Sequence, residues 1–206
     1  GTVTGREALK RLAEYCESRD MAFISDEIYH GLTFIGDETS ALEITDKAVV
    51  INSFSKYYCM TGWRIGWMVL PEDLVRPTEC IQQSLYISAP ELSQVAAAAA
   101  FDAEEELDIY KDSYRTNRDF LMQQLPQIGL NLISPMDGAF YAYVDTSNFA
   151  KDSMEFAKRM LEEIHVAATP GLDFDPINGP SAMRFSYAGS TSDIAEAVGR
   201  IASWLK

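Results

Sequence analysis

Ala48-Val49-Val50-Ile51-Asn52-Ser53-Phe54-Ser55-Lys56 is the stretch on which the fold turns. Its first residues form a short apolar run rich in β-branched side chains. Such a run predicts a strand buried on both faces rather than one face of a helix. Lys56 then falls in the loop at the carboxyl end of that strand. In open α/β sheets this is the edge where ligands bind. A lysine there can be desolvated and its amine kept nucleophilic, as Schiff-base chemistry requires. Taken alone, it is an ordinary solvated loop lysine.

Two similar runs flank this stretch. Met21-Ala22-Phe23-Ile24-Ser25 precedes it and Ile65-Gly66-Trp67-Met68-Val69-Leu70 follows it. Short buried strands among helices predict an α/β fold with a mainly parallel sheet. The connection between the second and third runs is short enough for that pair to be antiparallel. Ahead of the first run, Thr4-Gly5-Arg6-Glu7 reads as a capping box. Ala8, Leu9, Leu12, Ala13 and Cys16 then recur at helical spacing, so a helix is predicted over 5–19.

From Pro71 to Pro126 the pattern is helical. Pro77 and the Ser88-Ala89-Pro90 step are the expected interruptions. The alanine run Ala96 to Ala100 reads as a closely packed helix. Glu104 to Leu125 reads as one long amphipathic helix. After Gly129 the texture changes. Strands are predicted at Asn131–Ser134, Ala139–Asp145, Val166–Ala168 and Met183–Tyr187, with helices over 152–163 and 191–205. This predicts a larger sheet domain over residues 1–103 and a smaller α+β domain over 104–206, entered by the long helix.

Composition narrows the possible functions. The formal net charge is −14, which disfavours nucleic acid because phosphate binding needs clustered Lys and Arg. No run of apolar residues is long enough to span a membrane. Cys16, Cys59 and Cys80 show no disulfide pattern and suit a reducing compartment, the cytoplasm. With two histidines and no cysteine pair at ligand spacing, no metal site is expected.

The neighbours of Lys56 give it a context. Arg64 lies in Thr61-Gly62-Trp63-Arg64-Ile65-Gly66-Trp67. Ser53 and Arg64 could offer a phosphate a hydroxyl and a planar charged fork. Asp26-Glu27-Ile28-Tyr29 follows the preceding strand and should open onto the same sheet edge. A carboxylate there can keep a heteroaromatic nitrogen protonated, and a phenol can donate to a ring oxygen. Arg184 interrupts the apolar strand Met183-Arg184-Phe185-Ser186-Tyr187. A charge in that position needs a partner. An internal carboxylate or the carboxylate of a substrate would serve.

Together these segments resemble the fold-type-I pyridoxal-phosphate enzymes, and most closely the aspartate aminotransferase superfamily, classes I and II. The likeness runs over nearly the whole chain. It includes Gly138-Ala139-Phe140-Tyr141 and Thr169-Pro170-Gly171. The resemblance implies that Lys56 forms the internal aldimine with pyridoxal phosphate and later moves a proton between the substrate α-carbon and the cofactor. It implies that Asp26 pairs with the pyridine nitrogen, so that the ring can act as an electron sink. Tyr29 would bond the ring oxygen, Ser53 and Arg64 the phosphate, and Ser55 the phosphate less directly. Arg184 would hold the substrate α-carboxylate and so orient the bond to be broken. The implied reaction is transamination between an amino acid and a 2-oxo acid, in a homodimer. A carbon–sulfur lyase, decarboxylase or synthase would use the same residues, and an effector-binding domain without catalysis could keep the fold.

Two departures bear on this expectation. The chain opens at what resembles the Gly of the family's Asn-Pro-x-Gly turn. It is therefore expected to be the C-terminal portion of the enzyme, inactive alone and with exposed sheet edges. Dicarboxylate-specific members in one branch carry an arginine near the stretch matching Gln82-Gln83-Ser84-Leu85-Tyr86, and none stands here.

Overall fold

A computed structural model describes all of residues 1–206. The chain divides into two compact units. One is Val3–Ile109; the other is Tyr110–Lys206 together with Gly1–Thr2.

In the first unit, helix α1 (Arg6–Ser18) turns Leu9, Ala13 and Cys16 inward at spacings of four and three residues. The expected capping box is not formed. Gly5, not Thr4, is the cap, and it has no side chain to bond an amide. Its carbonyl takes the amides of Ala8 and Leu9 instead. A capping box does form further on, where Ser40 and Glu43 bond each other's backbone amides.

Strands β1 (Ile24–Asp26), β2 (Val49–Ser53) and β3 (Gly66–Val69) make a three-stranded sheet in that order. β1 runs parallel to β2 with Asp26 opposite Ile51, and β3 runs antiparallel with Gly66 opposite Ser53. The strands are not buried on both faces as expected. Val50 packs with Leu9, Ala41 and Ala48 on one side. On the other side Ile24, Ile51 and Met68 remain 59%, 37% and 43% exposed, because no element of this unit covers that face.

Helices α2 (Glu72–Leu85) and α3 (Glu91–Ala100) follow, separated at Ser88-Ala89-Pro90 as expected. Pro77 does not break α2. The helix has no buried residue, so the carbonyl that Pro77 leaves unbonded can turn to water. The alanine run lies in α3. Ala96, Ala97 and Ala100 pack against a cluster built on Phe54 and Met60.

Helix α4 (Glu104–Gln127) begins in the first unit and continues into the second. There an antiparallel sheet has the order β4 (Asn131–Leu132), β5 (Tyr141–Asp145), β7 (Ala182–Ser186), β6 (Thr169–Pro170). The strand expected over Val166–Ala168 forms later, at β6, where pairing with β7 begins. His165 in the left-handed conformation ends the preceding helix, and Val166 turns into the core before any ladder can start. Helices α5 (Ser153–Ile164) and α6 (Thr191–Trp204) complete this unit. Its core is built from Leu125, Leu130, Met136, Val144, Met160, Met183 and Tyr187, all at most 1% exposed.

Candidate active site

The first unit gathers six of the expected site residues at the carboxyl ends of β1 and β2. Asp26 is the last residue of β1. Its exposed carboxylate accepts the amide of Ile28 at 3.3 Å, which turns the chain out of the strand. Tyr29 lies in that turn, half-buried. Lys56 lies in the turn after β2, with Nζ 5.4 Å from the centroid of the Tyr29 ring. β1 and β2 are neighbours and parallel, so their loops open on one edge of the sheet.

Ser53 ends β2, and Ser55 and Arg64 follow in the connection to β3. The hydroxyls of Ser53 and Ser55 are 2.9 Å apart, and the Ser55 amide donates to the Ser53 hydroxyl at 3.0 Å. The Thr61 hydroxyl donates to the Ser55 carbonyl at 2.6 Å, and Arg64 donates to the Thr61 carbonyl at 3.0 Å. Arg64 is exposed and has φ +52°, the left-handed region, so the backbone reverses at this residue. Two residues later Gly66 opposes Ser53. A Cβ there would lie 2.6 Å from the Asn52 carbonyl, so the close pairing beside Ser53 needs glycine.

The residues on either side of Lys56 fix its backbone. Phe54 is 5% exposed and contacts the rings of Tyr58, Trp67 and Phe101 at centroid distances of 4.8, 4.9 and 5.2 Å. The Met60 amide closes the turn on the Phe54 carbonyl at 2.9 Å. Tyr57 lies over Gly31, whose φ is +91°; a Cβ on Gly31 would meet the Tyr57 ring at 2.5 Å. The turn carrying Tyr29 and the turn carrying Lys56 are thus in direct contact. Burial, followed by the carboxylates of Asp108, Glu104 and Glu38, holds the Tyr57 phenol above the usual range. Burial alone does the same for Tyr58.

Sequence reasoning missed both of these supports. The Gly31–Tyr57 contact leaves no trace in periodicity. A glycine two residues after Tyr29 is only a weak turn signal. Glu27 was also passed over. It is 5% exposed, accepts the Ala41 amide at 2.7 Å and the Ser25 hydroxyl at 3.0 Å, and has His30 Nδ1 at 3.4 Å. It stabilises the base of the Asp26 turn from within.

Arg184 belongs to the second unit. It stands in β7 opposite Tyr143 of β5 and Thr169 of β6. No Asp or Glu pairs with it: its one side-chain bond is a 3.5 Å contact with the Thr169 hydroxyl, and its Nε is buried without an acceptor. Of the two partners open from sequence, the internal carboxylate is absent.

Comparison with known proteins can now be set beside this geometry. The family pattern described as aminotransferase class I and II matches residues 1–201. The chain belongs to the class I and II aminotransferase family. It is 46% identical to the valine–pyruvate aminotransferase of Mycobacterium tuberculosis, over all of this chain and 54% of that protein. It is 31% identical to the aspartate aminotransferase of Thermotoga maritima, over all of this chain and 53% of that protein. Among solved structures, an aminotransferase from Mycobacterium tuberculosis superposes with a TM-score of 0.96 at 45% identity, covering 99% of this chain and 54% of that one. The Thermotoga maritima aspartate aminotransferase gives 0.88 at 31% identity, covering 100% and 53%. The chain spans about half the length of the curated relatives it matches.

This aminotransferase family implies pyridoxal phosphate, and the donors present fit that group. Two hydroxyls and an exposed guanidinium lie at the end of β2 and in the connection that follows it, which suits a phosphate. An exposed carboxylate ends the neighbouring parallel strand, which suits a ring nitrogen. A lysine stands on the same edge beside a phenol ring. No helix is long and apolar enough to cross a membrane, and no cluster of metal-ligating side chains occurs.

Proposed function

We propose that this chain provides the cofactor lysine and the substrate-carboxylate arginine of a pyridoxal-phosphate-dependent aminotransferase. The observation that carries the proposal is the grouping of Lys56, Tyr29 and Asp26 at the edge of two parallel strands, with Ser53 ending β2 and Ser55 and Arg64 in the same connection as Lys56. In domain terms, residues 1–103 are read as part of the cofactor-binding domain and 104–206 as the small domain.

When bound, pyridoxal phosphate supplies an electron sink for the bond broken at the substrate α-carbon. This chain's residues hold, orient and move protons. Ser53 and Arg64 would hold the phosphate, with Ser55 contributing less directly. Asp26 would keep the ring nitrogen protonated and Tyr29 would donate to the ring oxygen. Lys56 would hold the cofactor through its amine and would serve as the base that carries a proton to and from the substrate α-carbon. Arg184 binds the α-carboxylate and fixes the orientation of the substrate.

An amino acid donor and a 2-oxo acid acceptor follow from this reading. The 46% relative is named for valine and pyruvate, which makes that pair the first to assay. The absence of an arginine over Gln82–Tyr86 counts against aspartate specificity by that one branch's route, while other branches recognise dicarboxylates with other residues. The active assembly is read as a homodimer in the cytoplasm. The three unpaired cysteines support the compartment.

The test is borohydride reduction of the full-length protein with pyridoxal phosphate, followed by peptide mass mapping. The cofactor mass should appear on the Lys56 peptide and vanish in Lys56→Ala. Release of pyruvate or ammonia from an amino acid with no 2-oxo acid acceptor would replace transamination with a lyase reaction.

A further inference from the structure

The surroundings of Arg184 carry more than its assignment. Two aromatic rings flank its guanidinium, those of Tyr141 and Phe174, each with its centroid 4.2 Å from Cζ. Tyr141 comes from β5, the strand paired with β7. Phe174 comes from the loop between β6 and β7 and is 50% exposed, a large apolar side chain left at the surface over a charge.

That loop is tightly built. Gly171 and Gly179 approach so closely that a Cβ on Gly179 would lie 2.3 Å from the Gly171 carbonyl oxygen. The Phe174 and Asp175 amides donate to that same carbonyl at 2.9 and 3.0 Å. The Asp175 carboxylate accepts the amides of Ile177 and Asn178 at 2.8 and 3.1 Å. These bonds, led by that from the Asn178 amide, hold the carboxyl below the usual carboxylate range. Phe174 is therefore presented by a preformed loop.

Arginine side chains are long, and ordering one costs rotamer entropy. Aromatic rings at stacking distance attract the guanidinium and restrict it to one plane while leaving its N–H edge open. Here the edge has no carboxylate of the chain to bond. Tyr143, opposite Arg184 across the strands, likewise has a buried hydroxyl without a partner.

We infer that Phe174 and Tyr141 are positioning residues that preset the Arg184 guanidinium for the substrate carboxylate. The inference rests on the proposed role of Arg184. It assigns binding strength to two side chains that need not touch the reacting atoms. Preordering removes an entropic cost from binding and leaves the bond-breaking step alone.

The experiment compares Phe174→Leu, Phe174→Tyr and Arg184→Lys. In the cofactor-loaded full-length protein, Phe174→Leu should raise KM for both the amino acid and the 2-oxo acid about tenfold while kcat changes less than twofold. Phe174→Tyr should restore KM. A second readout needs no turnover. The 15N-resolved Nε–H signal of Arg184, identified by its loss in Arg184→Lys, should exchange with solvent faster in Phe174→Leu and return to normal in Phe174→Tyr. If Arg184→Lys raises both KM values while Phe174→Leu moves neither KM nor the Nε–H signal, the positioning role is overturned and the carboxylate role stands. If Arg184→Lys leaves both KM values unchanged, both roles fall.

Discussion

At the residue scale the candidate site is framed by contacts that hold its backbone in place. Gly31 shows this most directly. With φ +91° and the Tyr57 ring where its Cβ would be, it has neither the conformation nor the space for a side chain. Gly31→Ala should destabilise the first unit by about 1–3 kcal/mol, read as a lower denaturant midpoint. It should also weaken pyridoxal phosphate binding, because the displaced Tyr57 adjoins Lys56. The positions of the proposed site residues at a sheet edge were legible in the sequence. Lys56, Asp26 and Arg64 follow or flank recognisable strands, and each has a chemical reason to stand at a sheet edge. Phe174 was not legible. Nothing in the order Leu172-Asp173-Phe174-Asp175 says that the ring turns toward a strand residue ten positions on.

At the element scale, local signals held where local chemistry decides and failed where tertiary contacts decide. Helix α5 is a case of the first kind. Asp152 caps it by accepting the amides of Met154 and Glu155 at 2.9 and 3.2 Å. Asp152→Ala should cost about 1 kcal/mol, measured by chemical denaturation. The opposite case is Thr4, a good capping residue passed over because Gly5 lies where the first carbonyl is needed. The strand expected at Val166–Ala168 failed for a related reason. Apolar character there marks burial of Val166, while ladder pairing is set by what β7 offers, and that begins at Thr169. Pro77 was read as a break, but α2 continues through it: proline removes one amide donor, and with no buried residue in the helix the carbonyl left unbonded can turn to water.

At the scale of the whole molecule, acidity and the buried phenol of the second unit set the pH behaviour. A net charge of −14 and a sequence pI near 4.5 place minimum solubility near pH 4.5, which turbidity across a pH series would show. Stability should fail at the other extreme. Tyr187 is fully buried, and its hydroxyl donates to the Ala139 carbonyl at 3.2 Å. Burial raises its pKa far above the ordinary value of 10.0. A group raised on folding contributes stability that is complete below its unfolded pKa and declines above it. Each pH unit beyond about 10 should then cost about 1.4 kcal/mol. Tyr187→Phe should flatten that decline in alkaline denaturation curves. Sequence patterning anticipated an α/β part followed by an α+β part. It could not anticipate an open sheet face, because an apolar run is the same whether or not a second layer covers it.

The aromatic packing of Phe54 and Tyr58 on either side of Lys56 has one more consequence. With both neighbours anchored, the backbone at Lys56 cannot slide toward whatever its amine must reach. Reach is then set by the four methylenes of the side chain, and the loop supplies none. A nitrogen moved by a single bond length has no way to recover the lost distance. Ornithine in place of Lys56, introduced by semisynthesis, is expected to keep the fold and the charge yet fail to retain the cofactor covalently.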